Sequence, residues 1–260
     1  MSQPRRWKSG EGVALWQAVT AGGLFRPDQF PTMTATLQAL ASALGTEALW
    51  STVGATLQGW AIGLAVAAVL AVVVGSLLAA NDVAFRSAAG VIELFKAIPA
   101  IAILPLVILV LGSTLDMKVF LVAFGAFWPL VVQVVYGVRS TDPTVRDTAR
   151  VLGVRGVRRF LTVTIPSASP YMATGLRIAS ASALILSVVA ELVGGAEGIG
   201  RAILFARNAG VTSYPTMYAY ILVSGLLGIV LTGAFFLVEK KAMHWHESQR
   251  NAKNNELGAR

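Results

Sequence analysis

The sequence predicts an all-α fold, a polytopic bundle of transmembrane helices, on three observations. Charged residues are scarce: 21 Lys and Arg and 13 Asp and Glu among 260 residues, or 13%, where soluble proteins carry about 25%. Hydrophobic residues make up 55% of the chain and the mean hydropathy is +0.68, more apolar surface than one water-soluble core of this length can hide. Five apolar stretches approach or exceed the roughly 20 residues that a helix needs to cross about 30 Å of hydrocarbon. They are far too long for barrel strands and lack strand alternation, and lipid offers unpaired backbone groups no water, so helices are the form they must take.

In chain order, the first 56 residues are the weakest part of this reading. Val13 to Phe25 is broken by Gln17, Thr20 and Gly22-Gly23, which leaves a weak sixth span or none, and no cleavable signal. Thr34 to Ala48 has modest apolar spacing and reads as an interfacial helix on the outer face. The five clear spans are Leu57 to Ala80, Val91 to Leu111, Val119 to Val138, Tyr171 to Val193 and Met217 to Val238. In the first, Gly59 with Gly63 and Gly75 with Ala79 place small residues at the spacing that lets helices approach closely. Pro99 and Pro105 interrupt the second and free backbone groups, a feature that suits a moving helix. The expected organisation is residues 1–56 as the N-terminal region, 57–245 as the transmembrane domain with a cytoplasmic loop at 139–166, and 246–260 as a tail.

Charge placement gives the orientation. Arg139 to Phe160 carries six Arg against Asp142 and Asp147, and the tail from Glu239 carries five Lys and Arg against three Glu. Both belong on the cytoplasmic side, and the two intervening spans are the even number that this requires. The loops Gly112 to Lys118 and Gly194 to Pro215 then face outward. The net charge of +8 thus marks membrane topology and gives no support to nucleic-acid binding. With no Cys, disulfides and thiolate chemistry are excluded.

Within the basic loop, Asp142 is a natural N-cap, Pro143 suits the first helical position and Gly153 suits the residue past a helix end, so a short helix runs from Thr144 to Leu152. Val145, Ala149 and Leu152 fall on one side of it, away from Arg146, Asp147 and Arg150. A second short run follows and ends near Thr164, before Ile165-Pro166, Pro170 and Gly175-Leu176-Arg177. A helix lying on anionic headgroups would account for the arginines but not for this sequel.

Here the chain resembles the binding-protein-dependent permeases of ATP-binding-cassette (ABC) importers, whose cytoplasmic loop has the form Glu-Ala-Ala-x-x-x-Gly, then Leu-Pro, a second Pro and Gly-Leu-Arg. Asp147, Thr148, Ala149 and Gly153 stand at the first four positions, and Ile165-Pro166, Pro170 and Gly175-Leu176-Arg177 match the rest. Asp for Glu and Thr for Ala are departures in size that keep the spacing. Ile98-Pro99, Pro105, Ala190-Glu191, Glu197-Gly198-Ile199-Gly200 and Ala206-Arg207-Asn208 are similar to the branch for taurine, alkanesulfonates and nitrate.

The resemblance implies a permease subunit of the bacterial plasma (inner) membrane, multi-pass, with a cytoplasmic C-terminus, forming the path for a small anionic nutrient. It implies a second copy of the chain, two ATPase subunits that bind ATP-Mg, and an external solute-binding protein. The chain is not expected to be an enzyme: it lacks a Gly-x-x-x-x-Gly-Lys-Ser/Thr phosphate loop and any nucleophile–base constellation. No cofactor or metal is expected on it, since His244 and His246 lack a third ligand. Val145, Arg146, Asp147, Ala149, Arg150, Leu152 and Gly153 are the expected ATPase-coupling residues, with the apolar side in a groove of the ATPase. Pro99, Pro105 and Glu191 are candidate pathway or gate residues, Glu191 fitting a structural role equally well. A stand-alone secondary transporter or channel is the alternative; it calls for internal repeats and ionisable residues in several spans, whereas most charges here sit in loops.

Overall fold

The structure, a computed structural model, describes residues 11–22 and 30–242, and all regular elements among them are helical. Arg5, Arg6 and Lys8, the end of the weak N-terminal stretch, and the tail with His244, Trp245 and His246 lie outside the described residues. The helices are α1 (Glu11–Ala21), α2 (Met33–Leu44), α3 (Glu47–Ala79), α4 (Asp82–Ala97), α5 (Leu104–Leu111), α6 (Leu115–Arg139), α7 (Pro143–Val151), α8 (Gly156–Arg159), α9 (Ile165–Gly194), α10 (Ile199–Asn208) and α11 (Tyr214–Ala242). Among the described residues, α3, α6, α9 and α11 are long and apolar enough to cross a membrane; α4 and α5 add a fifth crossing if the pair is one broken span.

Several boundaries differ from the sequence reading for identifiable reasons. The interfacial helix expected over 34–48 is α2 and ends at Leu44. Thr46, whose Oγ1 accepts from Leu49 N at 3.4 Å, then starts α3 ten residues before the apolar stretch. Hydropathy marks where a helix is greasy, and backbone hydrogen bonding carried α3 through the polar Ser51, Thr52 and Gln58. The second stretch is not one straight helix: α4 and the following Ala100–Leu111 segment meet at 76°. Ile98, forced into extended backbone by the proline after it (ψ 117), ends α4. Pro99 caps a short 3-10 turn, and Pro105 sits in the first turn of α5, where a missing N–H costs nothing. By contrast, the short helical run expected to end near Thr164 continues, and Ile165 to Pro170 is helical. A π-turn at Phe160–Thr164 leads into α9, and Ser169 Oγ donates to the Pro166 carbonyl (2.8 Å) that Pro170 cannot serve. The loop 194–215 contains α10, which the sequence reading missed. α1, at 11 residues, is about 16 Å long and cannot cross a bilayer by itself.

The chain divides into two compact units, and α3, α9 and α11 each contribute to both. In the first (1–58 and 188–227), Leu49, Val53 and Ile199 form a small core with Ile203, Tyr220 and Leu227 around it. There Trp16 stacks on Phe30 at 5.3 Å and meets Tyr218 edge-on at 6.0 Å, and its Nε1 donates to the Pro31 carbonyl at 3.1 Å. These contacts fix α1 to the start of α11.

In the second unit (59–187 and 228–260), α3 and α6 pack as two ridges of residues spaced by four. Gly59, Gly63, Ala67, Ala71 and Gly75 on α3 are all buried, as are Lys118, Val122, Ala126, Leu130 and Val134 on α6. A Cβ built on Gly59, Gly63 or Gly75 would meet Lys118 Cε at 2.3 Å, Val122 Cγ1 at 2.6 Å or Val134 Cγ1 at 2.8 Å. Each pair is 59 residues apart (118 − 59, 122 − 63, 134 − 75), so the two helices run parallel in constant register. Gly137 against Ala168 and Tyr171, Gly175 against Gln133, and Gly125 against Leu186 set α9 antiparallel to α6. Small residues let backbones approach where lipid provides no hydrophobic drive between helices. Gly63→Ala is therefore expected to destabilise by about 1–3 kcal/mol through overpacking, read as a lower unfolding midpoint in detergent. Gly54→Ala on the same helix, with open space around its Cβ, is the control and is expected not to lower it.

Candidate functional site

Two clusters carry the residues singled out by sequence, and each belongs to one unit. The first is the loop helix α7. Asp142 caps it by accepting from Thr144 N at 2.8 Å, and Pro143 takes the first helical position. At its end Val154 N donates to the Ala149 carbonyl (2.9 Å) and Gly153 N to that of Arg150 (3.1 Å), with Gly153 at φ +75. This is a Schellman end, and the left-handed residue it requires explains the glycine. Gly156, at φ +56, then turns the chain into α8.

The exposure of α7 differs from the expected pattern. Ala149, placed by periodicity on the docking face, is only 6% exposed. Arg146, expected at the rim, donates from Nη2 to the Val138 carbonyl at 2.5 Å and ties the helix back to the end of α6. Asp147 and Arg150 are exposed and pair with each other at 3.4 Å. The exposed apolar side chains at the end of α7 are Leu152 (73%) and Val151 (87%), and Val145, Val157 and Leu161 are exposed nearby. An isolated α7 projects Val145, Ala149 and Leu152 together; the staple at Arg146 turns that face partly inward. The base of the loop is held by Arg139, paired with Asp82 at 2.6 Å and 4.6 Å over the Phe85 ring. Arg177 pairs with Glu239 at 3.1 Å. Glu93 and Lys96, three apart on α4, pair at 3.0 Å.

The second cluster surrounds Glu191, which is 0% exposed. Its Oε2 accepts from Thr56 Oγ1 at 3.0 Å and from Gly200 N at 3.0 Å, while Thr56 Oγ1 accepts from Ile199 N at 2.9 Å. Ile199 and Gly200 are the first two residues of α10, and the preceding Gly198 has no side chain to cap them. Their orphan N–H groups are thus capped from distant helices, and the carboxylate meets the positive end of α10. The glycines make this possible. A Cβ on Gly198 (φ +146) would lie 2.1 Å from Glu191 Cδ, and one on Gly200 would lie 2.3 Å from the Val188 carbonyl. Glu191 is therefore built into a structural clasp that holds the 195–200 turn on α9 and α3.

Pro99 and Pro105 are exposed and lie in the α4–α5 bend, not beside Glu191 in sequence or in the same unit. Lys118 was read as the end of an exposed loop; it is 2% exposed, its stem lying over Gly59. The glycine opposite it in the small-residue ladder was the available signal.

A family described as "Binding-protein-dependent transport system inner membrane component" matches residues 67–244. The chain is 26% identical over 236 residues, 91% of its length and 85% of the other's, to a Bacillus subtilis protein provisionally named as the aliphatic sulfonates transport permease SsuC. It is 29% identical over 185 residues to the nitrate import permease NrtB of Leptolyngbya laminosa, covering 71% of this chain and 66% of that one. Among solved structures it is similar to an amino acid ABC transporter chain (TM-score 0.62, 16% identity, 78% of this chain and 97% of the other). It is also similar to the MetNI methionine ABC transporter in an inward-facing conformation (TM-score 0.55, 17% identity, 93% and 99%).

Proposed function

The chain belongs to the family of binding-protein-dependent transport system inner membrane components, as a multi-pass permease of the ABC importer type, and on that premise we propose that two copies of it form the path for a small anionic nutrient. The nutrient class follows the sulfonate and nitrate permeases to which the chain is similar. The C-terminus and the 139–166 loop lie on the cytoplasmic side of a bacterial inner membrane, by the weight of their arginines and lysines. A solute-binding protein delivers the nutrient on the other side, and two separate ATPase subunits, which hold the ATP-Mg, drive the cycle.

The observation that carries the coupling role is a helix capped at both ends that leaves Val151 and Leu152 exposed. Val145, Val151 and Leu152 supply the apolar contact to an ATPase groove, and Asp147 and Arg150 its polar rim. Ala149, Arg146 and Gly153 act indirectly: burial, the Val138 staple and the Schellman end fix α7 so that a push on it is transmitted to α6. The Pro99 bend between α4 and α5 is the segment best shaped to change angle between outward- and inward-open states. Glu191 acts as a clasp and not as a ligand for the nutrient, whose own negative charge a carboxylate would repel. The test is copurification. The chain extracted in mild detergent is expected to bring a stoichiometric ATPase with it, and recovery of the chain alone under conditions that preserve its fold would count against the assignment.

A further inference from the structure

We propose that the cleft between the start of α3 and α10 is a subsite for a small oxyanion, with Arg201 as the side chain that binds it. The inference rests on the reading above that the nutrient is anionic and that the 194–215 loop faces outward. The cleft encloses about 360 Å³ and is lined by Ser51, Thr52 and Ala55 on one side and by Glu197, Arg201 and Phe205 on the other.

Arg201 is held from two directions. Its Cζ lies 5.1 Å over the centroid of the Phe205 ring, and Nη1 is 3.7 Å from Glu197 Oε1. Contact with the ring face holds the guanidinium at the wall of the cleft. The carboxylate contact is long for an ion pair and the Glu197 side chain is 84% exposed. Glu197 is thus a loose partner in high dielectric, which an entering anion can displace.

Across the cleft the Ser51 and Thr52 hydroxyls donate to the Ala48 carbonyl at 3.0 and 2.7 Å. Such back-bonds are weak, and a hydroxyl can rotate from them to a ligand oxygen. Among the residues that line the cleft, Arg201 and Glu197 are the charged ones. A guanidinium fork matches two oxygens of a sulfonate or nitrate in two parallel hydrogen bonds.

The complete transporter, permease with its ATPase, is purified in detergent, and its unfolding midpoint is followed during titration with methanesulfonate or nitrate, with chloride at equal ionic strength as the reference. The wild-type midpoint is expected to rise beyond the chloride reference. Half-saturation is expected to move up about tenfold in Arg201→Gln and down in Glu197→Gln, where the competing carboxylate is gone. If Arg201→Gln fails to fold, Glu197→Gln still decides by the direction of its shift. A rise no greater than that in chloride, or an unchanged half-saturation in either folded variant, overturns the subsite. It is also overturned if Arg201→Gln leaves the anion titration unchanged and instead raises the half-saturating concentration of solute-binding protein in uptake, which reassigns Arg201 to receptor docking. Uptake by the wild type is read in parallel. Anion uptake without an Arg201-dependent titration defeats the subsite alone, while absence of anion uptake defeats the substrate reading itself.

Discussion

Replacing Val151 and Leu152 together by Glu is expected to strip the ATPase from the purified complex and to lower ATP-driven uptake by at least about tenfold. The two side chains are 87% and 73% exposed, so the change leaves the fold of α7 untouched. Burying such side chains in a partner groove contributes about 1.5–3 kcal/mol each, and each 1.4 kcal/mol lost is about tenfold in affinity. Placing two carboxylates there adds a desolvation cost. The ratio of ATPase to permease in a size-exclusion peak measures the effect, and an unchanged ratio with unchanged uptake would remove this face from the interface. Ala149→Arg tests something else. It forces a guanidinium into a site that is 6% exposed, so its first effect is on the packing of α7 itself.

That contrast shows what the sequence could and could not convey. The caps of α7 were legible because Asp142, Pro143 and Gly153 act through their own backbone geometry, and the structure realises each of them. The exposed face was not, because periodicity tells which residues share a side and says nothing about which side meets the rest of the chain. The Arg146 staple to Val138 and the burial of Ala149 decide that. The five apolar stretches were likewise visible as composition. The 76° turn at Pro99, the extension of α3 back to Glu47 and the continuity through Pro166 and Pro170 depend on local hydrogen bonding that hydropathy does not register. Gly59, Gly63 and Gly75 were recognisable as small residues, but their function as a ladder emerged only with Lys118, Val122 and Val134 opposite. Glu191 stood out as a buried charge, while its partners Thr56 and Gly200 lie 135 and 9 residues away, beyond any local pattern.

Glu191→Ala is expected to be the most destabilising single change in the first unit. It leaves Gly200 N–H without its acceptor in a site shut off from water, while the Thr56 hydroxyl falls back on the Thr52 carbonyl at 3.3 Å. An unsatisfied buried polar group costs about 1–3 kcal/mol, and the cavity left by the side chain adds to that. Glu191→Gln keeps a carbonyl oxygen for both donors and is expected to lose much less. Gly200→Ala should resemble Glu191→Ala, since its Cβ would collide with the Val188 carbonyl at 2.3 Å and the backbone there cannot step aside. Unfolding midpoints in detergent, together with protease cleavage within 194–215, measure all three. If Glu191→Ala unfolds like the wild type while uptake is lost, Glu191 belongs to the pathway and the clasp account fails.

On the proposed function, this chain is a path that moves solute only when a separate ATPase drives it through the α7 loop. The most direct test is uptake of a labelled sulfonate or nitrate into liposomes containing the permease, with ATPase, ATP and solute-binding protein each omitted in turn. Accumulation is expected only when all of them are present. Accumulation by the permease alone, without ATP or ATPase, would contradict it.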